Sequence, residues 1–183
     1  MQNQTLDAAV FGGGCFWCGE AVFSRLKGVE KVTSGYAGGS GSSDKSPTYE
    51  QVCAGNTGYV EAIKIEFDPS VVSYEVLLSV FFSTHDPTTL NRQGNDLGTQ
   101  YRSAIFYATE EQKKTAEEFM AQLQREGVYK DPIVTEISPL TNFYEAESYH
   151  QQYYENNKQV SYCQLVINPK LEKLQKQYAH LLK

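Results

Sequence analysis

Cys15 and Cys18 stand three residues apart in GGGCFWCGE, from Gly12 to Glu20, behind three glycines and around a Phe-Trp pair. Cys15 is placed where a strand ends and a helix begins. The first turn of a helix offers unpaired N–H groups and a partial positive charge. A thiol there should ionise more readily, and the thiolate is the nucleophile. Cys18, one turn later, is near enough to close a small-loop disulfide with it. Two other readings stand beside this redox pair. A zinc site would need two more ligands, and Cys53, Cys163, His85, His150 and His180 are scattered without a second C-x-x-C or an H-x-n-H pair. Two buried, inert thiols are the third reading, since free cysteine is among the most buried residue types. The glycines and the expected helix start put redox chemistry ahead. Neither Gly12–Gly14 nor Gly38–Gly41 completes a dinucleotide or P-loop fingerprint, so nucleotide binding is disfavoured.

A carboxylate is the second chemical signal. In GYVEAIKIEF, one strand face carries Tyr59, Glu61, Ile63, Ile65 and Phe67, the other Val60, Ala62, Lys64 and Glu66. Glu61 thus falls on the more apolar side, where ionisation is costly and the carboxyl should hold its proton towards neutral pH. An edge position open to water, or a salt bridge to an arginine, would explain the same pattern equally well.

The elements that must position these groups follow from periodicity. Residues 6–14 read as a strand entering a glycine turn, 16–28 as a helix capped by Gly28, and 29–37 and 58–69 as strands. Residues 73–86 read as a helix with Ser73 as N-cap, 101–108 as a strand, and 110–126 as a helix opened by a Thr109/Gln112 capping box. A further strand is expected over 132–139 and a helix over 145–157. The C-terminal stretch starts extended and becomes helical after Asn168-Pro169. Two long loops, 38–48 and 87–100, are the places where function often lies. The pattern predicts a single α+β domain over 1–183, a ferredoxin-like two-layer sandwich built from strand–helix–strand units with long decorating loops.

Composition narrows the class. The chain has 183 residues, enough for one sizeable core. With a net charge of −6, a nucleic-acid or anionic-membrane partner is disfavoured. The N-terminus lacks the pattern of a secretory signal, and no apolar run approaches the ~18 residues of a membrane span. A reducing, cytoplasmic setting is therefore expected, in which four cysteines read as reactive, metal-binding or buried thiols. Nothing demands more than a monomer.

Taken with Cys15, the aromatic pair and Glu61, further stretches show a resemblance: GYAGG (35–39), PTYEQVCAGNTGYVEA (47–62), FFSTHDPT (81–88), QGNDLGTQYRSAI (93–105) and YHQQYY (149–154). In that order, across residues 10–168, the sequence resembles the peptide methionine sulfoxide reductases of the A type. The resemblance implies reduction of the S epimer of methionine sulfoxide, free or in a polypeptide. Cys15 matches the nucleophile, and Phe16 and Trp17 match residues that receive the sulfoxide's methyl group. Tyr49, Glu61, Asp96 and Tyr101 match the groups that bind and protonate the sulfoxide oxygen, with Glu61 as the acid. The product at Cys15 is a sulfenic acid, which condenses with a second thiol to a disulfide. Thioredoxin is the implied reductant, and no metal, flavin or nicotinamide is required. His150 is read as a surface or packing residue outside the site.

The chain departs from many members at the second thiol. They carry Gly or Ser in place of Cys18 and keep a resolving cysteine in a mobile glycine-rich tail. Here QLVINPKLEKLQ follows Cys163, poor material for a mobile arm. Cys18 is therefore the favoured resolving thiol, with Cys163 as the alternative. A buried Cys18 would require the first helical turn to unwind partly before the sulfurs could bond. A general C-x-x-C disulfide oxidoreductase is the alternative activity, separable by insulin reduction, although it would not need Glu61, Tyr49 and Tyr101.

Overall fold

A computed structural model describes residues 5–39 and 46–183. The N-terminal strand, Asp7–Gly12 (β1), leads through the glycines to a two-turn helix, Phe16–Phe23 (α1), and then to Val29–Ala37 (β2). After a short helix, Tyr49–Cys53 (α2), come Val60–Phe67 (β3) and Tyr74–Thr84 (α3). A minimal hairpin, Arg92–Gln93 (β4) and Asp96–Leu97 (β5), precedes Ala104–Tyr107 (β6) and the longest helix, Glu110–Arg125 (α4). Glu136–Pro139 (β7), Phe143–Glu145 (β8), Tyr153–Asn156 (α5) and Asn168–Tyr178 (α6) follow.

The six long-range strands form one sheet in the order β7-β6-β1-β3-β2-β8. Its inner four, β6-β1-β3-β2, are antiparallel throughout and arise from β1-α1-β2 and β3-α3-β6. This is the ferredoxin-like arrangement, widened by β7 parallel to β6 and β8 antiparallel to β2. Phe11, Phe23, Ile63, Ile65, Phe67, Leu77 and Phe81 fill the layer between the sheet and the helices. Val10, Ala37, Val60, Ala62, Ala104 and Phe106 are buried on the opposite face. The central strands are thus covered on both sides, which is why Val60 and Ala62 break a simple polar-out alternation.

Local signals set several boundaries. Ser73 Oγ accepts from Val76 N–H at 3.3 Å and Thr109 Oγ1 from Gln112 N–H at 3.1 Å. Gln112 does not reach back to Thr109 N–H as a capping box would; it accepts from Ala108 N–H and donates to the Ala8 carbonyl, tying α4 to β1. A complete capping box occurs at Thr48/Gln51, opening α2, an element the periodicity did not reveal.

Elsewhere tertiary contacts override sequence preference. The first helix stops at Phe23, short of Gly28, because Lys27 N–H and the Arg25 carbonyl pair with Leu181 and Lys183 of the C-terminus. The expected helix over 145–157 is broken at Gln152, held at φ 52° while its N–H donates to Glu20 Oε1 at 2.8 Å. The 132–139 strand is reduced to β7. Residues 87–100 hold the β4–β5 hairpin and a 3-10 turn at Thr99–Tyr101. The stretch after Cys163 is not extended: Cys163–Ile167 is a π-helical turn running into α6. Most of the 38–48 loop, residues 40–45, lies outside the described residues. Among the described residues no helix is long and apolar enough to cross a membrane.

Candidate active site

Cys15 is the N-cap of α1, with φ −56° and ψ 125°, and its carbonyl accepts from Cys18 N–H at 3.1 Å. Gly14, directly before it, makes room for Gln93 of the β4–β5 hairpin. Gly14 has φ +91°, and a Cβ there would fall 2.7 Å from Gln93 Cβ. Glycine is needed on both counts. Gly14→Ala should therefore push the hairpin, and Asp96 with it, away from Cys15. The expected result is a lower thermal midpoint, by about 1–3 kcal/mol of stability, together with reduced activity.

Glu61 enters from β3, paired with Tyr36 of β2. It is 1% exposed, which excludes the edge position, and its Oε2 accepts from Phe16 N–H at 3.1 Å. The unpaired N–H at the start of α1 is thus directed to Glu61 rather than to a thiol. Burial still dominates: it pushes the carboxyl up to about 8, opposed by that N–H and assisted by the charges of Asp96 and Cys18. Near neutral pH Glu61 holds its proton, a buried acid among thiols.

The two thiols hydrogen-bond to each other and titrate together. An edge of Cys15 reaches solvent, but its thiol is enclosed. Burial raises its pKa well above the ordinary thiol value, as do its hydrogen bond to Cys18 and the Glu61 charge. Cys18 is buried, yet it is pushed down to about 7, chiefly because Cys15 donates to it and further by the Lys170 ammonium. The pair therefore parts with a proton near neutrality, leaving Cys15 as donor and Cys18 as acceptor. Cys163 is fully buried and shares an apolar cluster with Cys18, Ala21 and Ile167. Burial raises its thiol, followed by the effect of Cys18. Cys53 is exposed and lies beside Tyr49, four residues back on α2. All four cysteines are free thiols.

The polar residues named from sequence converge on this corner. Tyr101 closes the 3-10 turn, and its phenol is raised by burial and then by the charges of Glu61, Cys15 and Asp96. The Tyr49 phenol is likewise raised by burial, with Cys53 and Glu61 adding to it. Both therefore remain O–H donors throughout the physiological range. Asp96 accepts from Tyr162 O–H at 2.7 Å, and the same phenol oxygen lies 3.8 Å from Cys18 Sγ. Phe16 is buried against Tyr36, while Trp17 is partly exposed and stacked on Tyr153 at 3.6 Å between ring centres.

Tyr162, Tyr153 and His150 were missed by sequence reasoning. His150 is 1% exposed and accepts from Trp17 Nε1–H at Nδ1, 3.1 Å away. The YHQQYY stretch was visible, but neither periodicity nor a motif singles out one ring in a chain with 13 tyrosines. A cavity of about 30 Å³ lies beneath α1, lined by Phe11, Gly13, Cys15, Glu61, Ile63 and Lys170. It has room for about one water. Among the described residues no group of three or more His, Cys, Asp or Glu side chains is placed to hold a metal ion.

A protonated carboxyl, phenol donors and a thiol pair sharing a proton, carried on a ferredoxin-like α+β scaffold, define a thiol-dependent reductase class of site. The peptide methionine sulfoxide reductase family model matches residues 7–182, and the chain belongs to that family. It is 57% identical over 178 residues to the peptide methionine sulfoxide reductase MsrA of Acinetobacter baumannii (strain AYE), covering 97% of this chain and 99% of that protein. The MsrA of Chromobacterium violaceum is 54% identical over 177 residues, with the same coverage. Among solved structures, reduced Mxr1 from Saccharomyces cerevisiae superposes with a TM-score of 0.79 at 34% identity, covering 88% of this chain and 91% of that one.

Proposed function

We propose that this chain reduces methionine-S-sulfoxide, free or within proteins, to methionine through a sulfenic acid on Cys15. The observation that carries the reading is Glu61: a buried carboxyl held protonated to about 8, under the same helix start that bears Cys15. A sulfoxide sulfur is a poor electrophile until its oxygen receives a proton or strong hydrogen bonds. Glu61 donates that proton, and Tyr49 and Tyr101 hydrogen-bond to the oxygen, with Asp96 ordering the surrounding polar groups. Phe16 and Trp17 receive the methyl end.

Cys15 sulfur attacks the sulfur of the protonated sulfoxide while its own proton passes to the Cys18 thiolate, the hydrogen-bond partner it already faces, and the hydroxyl then moves to Cys15 as the new sulfur–sulfur bond breaks. The sulfur–oxygen bond of the substrate breaks, methionine leaves with two added electrons, and Cys15 keeps the oxygen as S–OH. Cys18 then attacks Cys15 sulfur, releasing water and closing the disulfide; Cys163 is the alternative partner. An external dithiol restores both thiols by exchange. Thioredoxin suits that role, and yeast Mxr1 has been solved in complex with Trx2. A reducing cytoplasm is the setting in which four free thiols persist.

The test is a single turnover without external reductant. Reduced protein mixed with excess methionine-S-sulfoxide should release about one methionine per chain, and Cys15→Ser should release none. No release with either epimer, alongside reduction of insulin disulfides, would replace this reading with a general disulfide oxidoreductase.

A further inference from the structure

Trp17 is the sole tryptophan of the chain, and its indole is fixed from several directions. Tyr153 stacks on it at an interplanar angle of 6°, and Tyr162 meets it edge-on at 5.8 Å. These contacts hold the plane but leave the ring free to turn within it. The in-plane direction is set by one hydrogen bond, from Nε1–H to His150 Nδ1 at 3.1 Å.

His150 is itself tightly held. Its ring lies 5.0 Å from Phe16, 4.5 Å from Tyr49 and 4.1 Å from Tyr149, centre to centre. Because Nδ1 accepts from the indole, the proton of the neutral ring must be on Nε2. Nε2 has no hydrogen-bond partner among the described residues and faces Glu147 Oε2 at 3.9 Å. The Glu147 carboxylate is already engaged by Tyr36 O–H and Tyr49 N–H, both at 2.8 Å. One imidazole therefore touches both sides of the site: the Phe16/Trp17 rings by packing and acceptance, and Tyr49 by ring contact.

We infer that His150 is a positioning residue for substrate binding, which orients Trp17 through Nδ1 so that the indole presents a fixed wall to the methyl end of the sulfoxide. The inference rests on the proposed reductase reading for the identity of what that wall contacts. A wall of this kind touches the ground state and the transition state alike, so its loss should raise KM and leave kcat nearly unchanged.

Two variants separate orientation from packing. His150→Phe keeps a ring of similar shape and removes the acceptor. His150→Asn places an amide oxygen near the former Nδ1 and restores it. With N-acetylmethionine-S-sulfoxide as substrate, H150F should raise KM about tenfold, in line with loss of one buried hydrogen bond. H150N should recover most of that loss. Trp17 emission gives a second readout that needs no turnover: H150F should shift it and H150N should bring it back towards the wild type, while circular dichroism reports that both are folded. Wild-type KM and emission in H150F would overturn the inference, as would an Asn variant as impaired as the Phe variant. Absence of methionine release by the wild-type protein would instead overturn the reductase reading, and the emission arm would still decide whether His150 anchors Trp17.

Discussion

Glu61→Gln is expected to slow single-turnover methionine release by about 10²–10⁴-fold, because the amide occupies the same space and has no acidic proton to give. The pH profile should change as well as the rate. Wild-type kcat/KM needs Glu61 protonated and Cys18 ionised, so it should fall as pH rises through about 8 and also as pH falls through about 7. E61Q should lose the upper limb and keep the lower one. Stability supplies an independent check. The folded carboxyl titrates near 8 against an ordinary value of 4.5, so its contribution is present below about 4.5 and is lost as pH rises through 8. The thermal midpoint of E61Q relative to wild type should accordingly improve between pH 5 and pH 9. A variant with full activity and an unchanged upper limb would remove Glu61 from the chemistry.

Cys18→Ser should leave a chain that releases one methionine and then stops, even with thioredoxin and its reductase present. The first turnover should be slower near pH 7, since the thiolate that accepts the Cys15 proton is gone. Its amplitude should still be about one per chain, and the sulfenic acid on Cys15 should be trapped by a dimedone-type reagent. Cys163→Ser should turn over normally. The reverse outcome, steady turnover by C18S and arrest of C163S, would assign the second disulfide partner to the π-helical turn. In the reduced protein Cys18 is locked in the first turn of α1 by its N–H bond to the Cys15 carbonyl. Disulfide closure must strain that turn, so amides at the start of α1 should exchange faster in the oxidised form.

The residues that could be read from sequence are those whose surroundings are local. Alternation in GYVEAIKIEF located Glu61 on the core face, and Ser73 and Thr109 marked the starts of α3 and α4. What was not legible depends on partners far along the chain. That the helix-start N–H is directed to Glu61, 45 residues away, could not be read from spacing. The break at Gln152 depends on Glu20, and the short α1 depends on the last residues of the chain. His150 looked like packing, and so it is, but what it packs against is Trp17. The family resemblance supplied roles that neither periodicity nor spacing could assign.

The sheet order separates the molecule into parts that should open at different free energies. Cys15 follows β1 and Glu61 lies on β3, the two innermost strands, covered on both faces by apolar layers. Their amides belong with the last to exchange, in the class that opens only on global unfolding. Tyr153, by contrast, hangs on a four-residue helix and Asp96 on a two-residue strand. Such pieces sit at the cheap end of the opening scale. A bulky polypeptide substrate could then be admitted by sub-global fluctuation of the rim, while the sulfur and the acid beneath keep their mutual distance through every cycle.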